Sequence, residues 1–125
     1  MAQPPRPTDG ELAILRVLWR RGPSTVRQVS DALNEERAMG YTTVLKLMQI
    51  MLEKGLLRRD ASERSHVYRP RVSEEKTLGQ LVDDLMHRAF GGSSQKLVMQ
   101  ALSAKKASPA ELDEIQKLLD KMKGE

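Results

Sequence analysis

Four polar side chains recur at helical spacing between residues 42 and 53 and could read the edge of a polar partner. Thr42, Lys46, Gln49 and Glu53 carry hydroxyl, ammonium, amide and carboxylate groups, all of which form hydrogen bonds. Groups of this kind pair with the base edges and phosphates of nucleic acids. The alternative is an ordinary amphipathic helix whose polar side contacts only water.

A helix over residues 41–54 would position these groups. Its apolar residues follow the i, i+3, i+4, i+7, i+8 pattern of a buried helix side: Val44, Leu47, Met48, Met51 and Leu52. Such a helix spans about 20 Å, enough to cross a DNA major groove about 12 Å wide. Gly55 follows at the position where helices end in a left-handed residue.

Two further helices are predicted before this one. Thr8 and Glu11 have the spacing of a capping box, which starts the first helix. Ser24 is predicted to be the N-cap of a second helix that runs to about Asn34. Arg27 lies on the outer side of that second helix, near its start.

A β-hairpin is predicted after the third helix. Residues 56–59 and 67–69 are short strand-like runs joined by a polar, serine-rich connection, which is typical of a hairpin. Arg64 and His66 lie near its tip. Three helices followed by a hairpin is the order of a winged helix-turn-helix, whose third helix enters the major groove while the hairpin contacts the DNA backbone.

The predicted fold class is mainly α with a small β-hairpin. We expect a flexible arm at 1–7, a winged helix-turn-helix domain at 8–72 and a three-helix dimerisation domain at 73–125. A lobe of about fifty residues buries too little of its own surface to be stable alone, so pairing with a second copy is expected. The alternative is a monomeric helical cap on the first domain. The predicted dimer contacts are Leu78, Leu81, Val82, Leu85, Phe90, Leu97, Val98, Leu112, Ile115 and Leu119.

The positive charge of the chain is concentrated in the first domain. The whole chain has a net charge of +4, and residues 1–72 hold 13 Lys or Arg against 8 Asp or Glu, whereas residues 73–125 hold 8 against 9. A basic surface on a helix-turn-helix predicts an anionic partner. We therefore expect double-stranded DNA, and not RNA, because the chain lacks aromatic platforms for unstacked bases.

The composition argues against catalysis and against a metal or cofactor. The chain has no cysteine, so a disulfide, a thiolate metal site and a cysteine nucleophile are excluded. His66 and His87 lack the spacing of a zinc motif, and there is no phosphate loop or G-x-S-x-G elbow. No run approaches the roughly 18 apolar residues of a membrane span. We expect a cytoplasmic protein that is not an enzyme and does not insert into a membrane.

Several motifs along the chain resemble those of a known family. They are Glu11-Leu12-Ala13-Ile14-Leu15, Tyr41-Thr42-Thr43-Val44, Lys54-Gly55-Leu56-Leu57-Arg58-Arg59, Tyr68-Arg69-Pro70 and Phe90-Gly91-Gly92-Ser93. In this order and spacing they resemble the penicillinase and methicillin-resistance repressor family, which also includes copper-responsive repressors. The likeness covers nearly the whole chain. It implies a homodimeric winged-helix repressor whose third helices read a palindromic operator.

The resemblance also implies roles for particular residues. Thr42, Thr43 and Lys46 would meet bases or phosphates, and Arg64 with its neighbours in the wing would meet the DNA backbone. The other residues predicted to bind DNA, from their position on the outer sides of the helices and at the hairpin tip, are Gln49, His66 and Arg27.

Two departures from the family limit what the resemblance implies. Copper-responsive members have a cysteine-rich C-terminal metal motif, which this chain cannot form. The β-lactam-responsive members are cut at an Asn-Phe bond, and the matching place here is Gln100-Ala101. A membrane sensor protease is thus a partner by family analogy only, and the changed bond argues against it. A winged-helix module that binds proteins and no nucleic acid is the competing hypothesis.

Overall fold

Helices and one hairpin alternate along the chain in this computed structural model, which describes residues 6–36, 38–62, 64–104 and 107–124. The elements are α1 Asp9–Arg21, α2 Val26–Leu33, α3 Tyr41–Lys54, β1 Leu57–Asp60, β2 Val67–Pro70, α4 Glu74–Ala89, α5 Ser94–Ala104 and α6 Pro109–Gly124. The predicted class, mainly α with a small β-hairpin, is confirmed. Most of the arm predicted at 1–7 lies outside the described residues.

The chain divides into two compact units, Met1–Leu81 and Val82–Glu125, here called the N-terminal and C-terminal units. The division falls within α4, so this helix contributes to both. The domain boundary proposed from the sequence lies earlier, before α4.

Helix α1 begins with the predicted capping box. The Glu11 backbone N–H donates to Thr8 Oγ1 at 3.3 Å, and the Thr8 N–H donates to Glu11 Oε1 at 2.9 Å. Two backbone donors that the helix leaves free are thereby satisfied, which stabilises a helix start by about 1 kcal/mol.

The start of α2 differs from the prediction, because Thr25 and not Ser24 is its N-cap. Thr25 Oγ1 accepts the Gln28 N–H at 3.2 Å and Gln28 Oε1 accepts the Thr25 N–H at 2.9 Å. Ser24 is instead held in an extended bridge, since its N–H and C=O both pair with the backbone of Tyr68. The sequence spacing Thr25-x-x-Gln28 is itself a capping box, so the signal was present one residue later.

The core of the N-terminal unit joins α1, α2 and α3 to the hairpin. Trp19 packs at its edge, where its indole N–H donates to the Val72 carbonyl at 3.1 Å. Because the buried side of α3 is the predicted apolar side, its polar residues face outward. The buried apolar residues are Ile14, Leu15, Val17, Leu18, Val26, Val29, Ala32, Leu33, Val44, Met48, Met51, Leu56, Leu57 and Tyr68.

The hairpin pairs β1 and β2 antiparallel, with Leu57 opposite Pro70 and Arg59 opposite Tyr68. Leu57 and Tyr68 are buried, so this side of the hairpin faces the core. Successive residues of a strand point to opposite sides. Arg58 and its partner Arg69 therefore share the other, exposed side.

Helices α5 and α6 of the C-terminal unit are well capped but poorly buried. Ser93 Oγ accepts the Lys96 N–H, and Ser108 forms a capping box with Glu111. No described residue of either helix is buried. Large apolar side chains stay exposed along α4, α5 and α6: Leu78, Val82, Leu85, Val98, Met99, Leu112, Leu118, Leu119 and Met122. Among the helices of the described ranges, none has both the length and the apolar character needed to cross a membrane.

Candidate nucleic-acid interface

The outer face of α3, defined here by Thr42, Thr43, Lys46 and Gln49, is exposed along its whole length. These four residues were predicted to contact DNA, and all four are exposed on α3. They present hydroxyl, ammonium and amide groups to the solvent. Such a face can form hydrogen bonds with base edges in a major groove.

Both ends of α3 are fixed by features of the sequence. Gly55 has φ of 82°, the predicted left-handed position, and its N–H donates to the Leu52 carbonyl. At the other end, the Asn34 side chain donates to the Ser30 carbonyl at 2.9 Å and accepts the Met39 N–H at 3.1 Å. Asn34 thus clamps the turn between α2 and α3, a role that the sequence analysis missed.

A buried ion pair connects α3 to the start of α1. Lys54 Nζ lies 3.0 Å from Glu11 Oε1 and 2.9 Å from Glu11 Oε2. The side chains of Lys54 and Glu11 are 29% and 2% exposed. The sequence analysis identified Glu11 only as a capping residue.

A recess of about 260 Å³ lies between α2, α3 and the hairpin tip. Arg27, Arg64 and His66 all line it, together with Tyr41 and Ser65. The three residues predicted to bind DNA outside α3 are therefore brought together, although they come from distant parts of the chain. We call this feature the wing recess.

Tyr41 shapes one wall of the wing recess. The guanidinium carbon of Arg27 lies 4.3 Å from the centroid of the Tyr41 ring, which is a cation–π geometry. The contact restricts the Arg27 side chain, and a cation held in place loses less entropy when it binds an anion. From the sequence, Tyr41 was given no role in the site, and no local signal links residues 27 and 41.

The exposed side of the hairpin carries two arginines that were not predicted as site residues. Arg58 and Arg69 are direct cross-strand partners, and like charges in that position destabilise a hairpin. An anion against this side would offset the repulsion. The adjacent basic residues Arg58-Arg59 were the feature of the sequence that could have indicated this basic surface.

The turn after β1 is closed by Asp60, whose Oδ1 accepts the Ser62 N–H at 2.9 Å. Hydrogen bonds from the Ser62 backbone and side chain lower the pKa of the Asp60 carboxyl below its ordinary value of 3.8, and the charge of Arg69 lowers it further. The ionised carboxylate thus supports the connection that leads to the wing recess.

The residues predicted to form the dimer contact divide between the two units. Leu78 and Leu81 belong to the part of α4 in the N-terminal unit, and the others lie in the C-terminal unit. Of the ten, these are exposed: Leu78, Val82, Leu85, Val98, Leu112 and Leu119. The half-buried ones are Leu81, Phe90, Leu97 and Ile115.

Gln100 and Ala101, the position that matches the family's cleavage bond, lie inside α5. Both residues are exposed, but their peptide bond is helical. As for metals, the described residues 6–36, 38–62, 64–104 and 107–124 contain no group of three His, Asp or Glu side chains that could hold an ion.

Comparison with known proteins gives one consistent result. The family model described as penicillinase repressor matches residues 7–121. The chain is 38% identical over 97 residues to the transcriptional regulator BlaI of Mycobacterium tuberculosis, covering 76% of this chain and 70% of that protein. It is 22% identical over 123 residues to the penicillinase repressor of Bacillus licheniformis, covering 98% and 96% of the two chains.

A solved structure shares the fold of part of the chain. The solution structure of monomeric Bacillus licheniformis BlaI in complex with the blaP half-operator matches with a TM-score of 0.52 and 24% identity. The match covers 60% of this chain and 92% of that one.

Proposed function

The chain belongs to the penicillinase repressor family, and on this premise we propose that it is a DNA-binding transcriptional repressor. The observation that carries the proposal is the outer face of α3, a polar surface held outward by a buried apolar side. One relative, BlaI of Bacillus licheniformis, is described in complex with a half-operator. In this chain α3 would enter a major groove, as the third helix of a winged helix-turn-helix does.

Within the groove, the residues of the outer face of α3 would have two different roles. Thr42, Thr43 and Gln49 have short groups that both donate and accept, as base edges require. Lys46 supplies a charge that suits a guanine edge or a phosphate. Loss of one such base contact costs about 1–3 kcal/mol and relaxes the preference at one position of the site.

The wing recess would hold a phosphate of the DNA backbone. Arg27 and Arg64 are permanent cations with forked donors that match phosphate oxygens, and His66 adds a ring nitrogen. Because Tyr41 restrains Arg27, the recess is partly organised before binding. Arg58 and Arg69 on the exposed side of the hairpin would add a more distant electrostatic attraction.

We propose that two copies bind together through the C-terminal units and thereby recognise a palindromic operator. Several leucines, valines and methionines stay exposed along α4, α5 and α6, and contiguous exposed apolar patches mark contacts between proteins. A two-fold dimer presents two identical copies of α3, so its DNA site has two identical half-sites. Such a repressor would act in the cytoplasm.

Release from the operator by proteolysis is a property of the β-lactam-responsive members that two features of this chain disfavour. A protease needs an extended substrate, so a cut between Gln100 and Ala101 requires local opening of α5. The bond also differs from the Asn-Phe bond of the β-lactam-responsive members. We propose that a membrane sensor protease, if one acts here, cuts this chain more slowly than it cuts a variant with Asn-Phe at these positions.

The test of the proposed function is selection of bound duplexes from a random pool at low and moderate salt. The expected result is an enriched palindrome whose affinity falls steeply with salt, because phosphate contacts release counterions. Lys46→Ala should then weaken binding to the selected duplex, whereas Lys121→Ala on α6 should not.

A negative selection would favour the competing hypothesis. If no motif is enriched and no salt-dependent binding to any duplex is found, the chain is a protein-interaction module with a winged-helix shape. An enriched site without two-fold symmetry would keep DNA binding but reject the dimeric arrangement.

A further inference from the structure

The buried pair of Glu11 and Lys54 lies at the far end of α3 from Tyr41, in a place that the proposed function does not use. Both oxygens of the Glu11 carboxylate accept from Lys54 Nζ, and Oε1 also accepts the Thr8 N–H. The carboxylate is almost fully buried. A charge in such a position is costly to desolvate and is weak evidence for stability.

We infer that Glu11 and Lys54 are positioning residues for sequence-specific DNA binding. Their ion pair fixes the position of α3, measured along the axis of that helix, relative to α1. This inference rests on the proposed function. It names the interaction that determines where the outer face of α3 lies. Neither side chain needs to touch DNA.

Two kinds of contact join α1 and α3. The apolar attraction between them is non-directional, so only the fit of the packed side chains limits sliding or rotation of the two helices. Hydrogen bonds and ion pairs have narrow ranges of distance and angle. The two contacts from Lys54 Nζ therefore define a position that the core alone leaves less well determined.

A close approach of the two helices near the pair supports this view. A Cβ atom placed on Gly10 would lie 3.3 Å from Leu47 Cδ1, so the start of α1 is already tight against the side of α3. The ion pair lies one residue along α1 from that contact. Together they set the distance and the register of α3, whose outer face must meet bases to within a fraction of an ångström.

The best test removes both charges together, because loss of one partner alone leaves an uncompensated buried charge. The double variant Glu11→Gln/Lys54→Met keeps the net charge of the chain and can keep its stability. The matched control is Arg20→Met/Glu36→Gln, which removes an exposed ion pair of the same unit, with its nitrogen and oxygen 3.4 Å apart. Each chain is measured for affinity to the duplex selected from the random pool and to a random duplex.

The expected result is a loss of selectivity without a loss of charge-driven binding. In the buried-pair variant the ratio of the two affinities should fall about tenfold, the effect of one misplaced base contact, with random-duplex binding unchanged. The control should keep the wild-type ratio. A merely structural role would lower the melting temperature and leave the ratio at 25 °C as it is.

Three outcomes are decisive. If the buried-pair variant keeps the wild-type ratio within twofold, the inference is wrong while the proposed function stands. If the wild-type chain itself shows no selective binding, the proposed function fails first. If the double variant does not fold, Glu11→Met/Lys54→Met replaces it, because apolar side chains of similar volume in place of a buried ion pair are often neutral for stability, and unchanged selectivity in that variant also overturns the inference.

Discussion

The two units of the chain bury their apolar side chains to very different extents. In the N-terminal unit Met48 is fully buried, whereas Met122 in the C-terminal unit is 61% exposed. The first unit has a core in which residues from α1, α2, α3 and the hairpin meet. The second has capped, amphipathic helices with no buried residue in α5 or α6 among those described.

The difference in burial indicates that the two units are stabilised in different ways. The N-terminal unit has enough internal contact to hold a rigid polar face outward, as reading a DNA sequence requires. The C-terminal unit has the caps and periodicity of stable helices but leaves its apolar side uncovered. We expect it to complete its core only when a second copy covers that side.

The largest expected effect comes from placing charges on the uncovered side of α4. Leu78→Lys/Leu85→Lys, at two exposed leucines of α4, should give monomers, and operator affinity should fall by about a hundredfold or more, since two linked half-sites gain from effective concentration. Analytical ultracentrifugation and a gel shift measure the two effects. The control Gln95→Lys/Gln116→Lys adds the same charge at exposed polar positions. If the leucine variant remains a dimer, the uncovered side of α4 is not the contact.

A smaller effect is expected from removing one methionine in each unit. Met48→Ala leaves a cavity in a packed core and should lower the free energy of unfolding by about 2–5 kcal/mol. This loss should not depend on protein concentration. Met122→Ala should change stability only at concentrations where dimers form. Thermal melts over a hundredfold dilution series distinguish them, and equal, concentration-independent losses would contradict the proposed contrast between the units.

A third prediction concerns the concentration of positive charge in the N-terminal unit. Arg64→Ala removes one cation from the wing recess and should reduce the slope of log affinity against log salt by about one. Arg88→Ala on α4 removes a cation that is paired with Asp84 at 2.7 Å, and it should leave the slope unchanged. Titrations of one duplex at four salt concentrations provide the slopes. A similar change in both variants would show that net charge alone matters.

The smallest expected effect is on the turn that leads to the wing recess. The pKa of Asp60 is lowered by its hydrogen bonds to Ser62, so its carboxylate stabilises this turn above its ordinary pKa of 3.8. That stabilisation is lost as the pH falls from 3.8 through the lower folded value. NMR titration of the Asp60 carboxyl should show the lowered pKa. Ser62→Ala keeps the backbone hydrogen bond and removes the side-chain one, so it should bring the pKa only part of the way back to normal. An unchanged value in that variant would refute the contribution of the Ser62 side chain.

Much of the fold was predictable because local signals dominate it. The limits of α3 follow from its apolar period and from Gly55, and the capping boxes at Thr8 and Ser108 mark the starts of α1 and α6. The error at Ser24 arose between two adjacent cap residues. The capping-box spacing of Thr25 and Gln28 favours Thr25, and the pairing of Ser24 with Tyr68, which lies far along the chain, accounts for the extended backbone at Ser24.

The candidate site was predictable only in part. Exposed positions on α3 follow from helical period, so Thr42 and Lys46 could be placed outward from the sequence. By contrast, the contact of Arg27 with Tyr41 and that of Glu11 with Lys54 join different helices. Nothing in a local pattern specifies such contacts, because they depend on how the helices pack. The sequence therefore predicted which side of α3 is exposed, but not the contacts between helices that lie around it.

If a second copy covers the exposed leucines of α6, as proposed, gene dosage and repression are linked. When the protein is scarce and mostly monomeric, the concentration of dimers varies with the square of the chain concentration. The fraction of operator that is occupied then varies in the same way, so halving expression would reduce this fraction by about fourfold. A promoter controlled in this way would switch over a narrower range of protein synthesis than one bound by single chains.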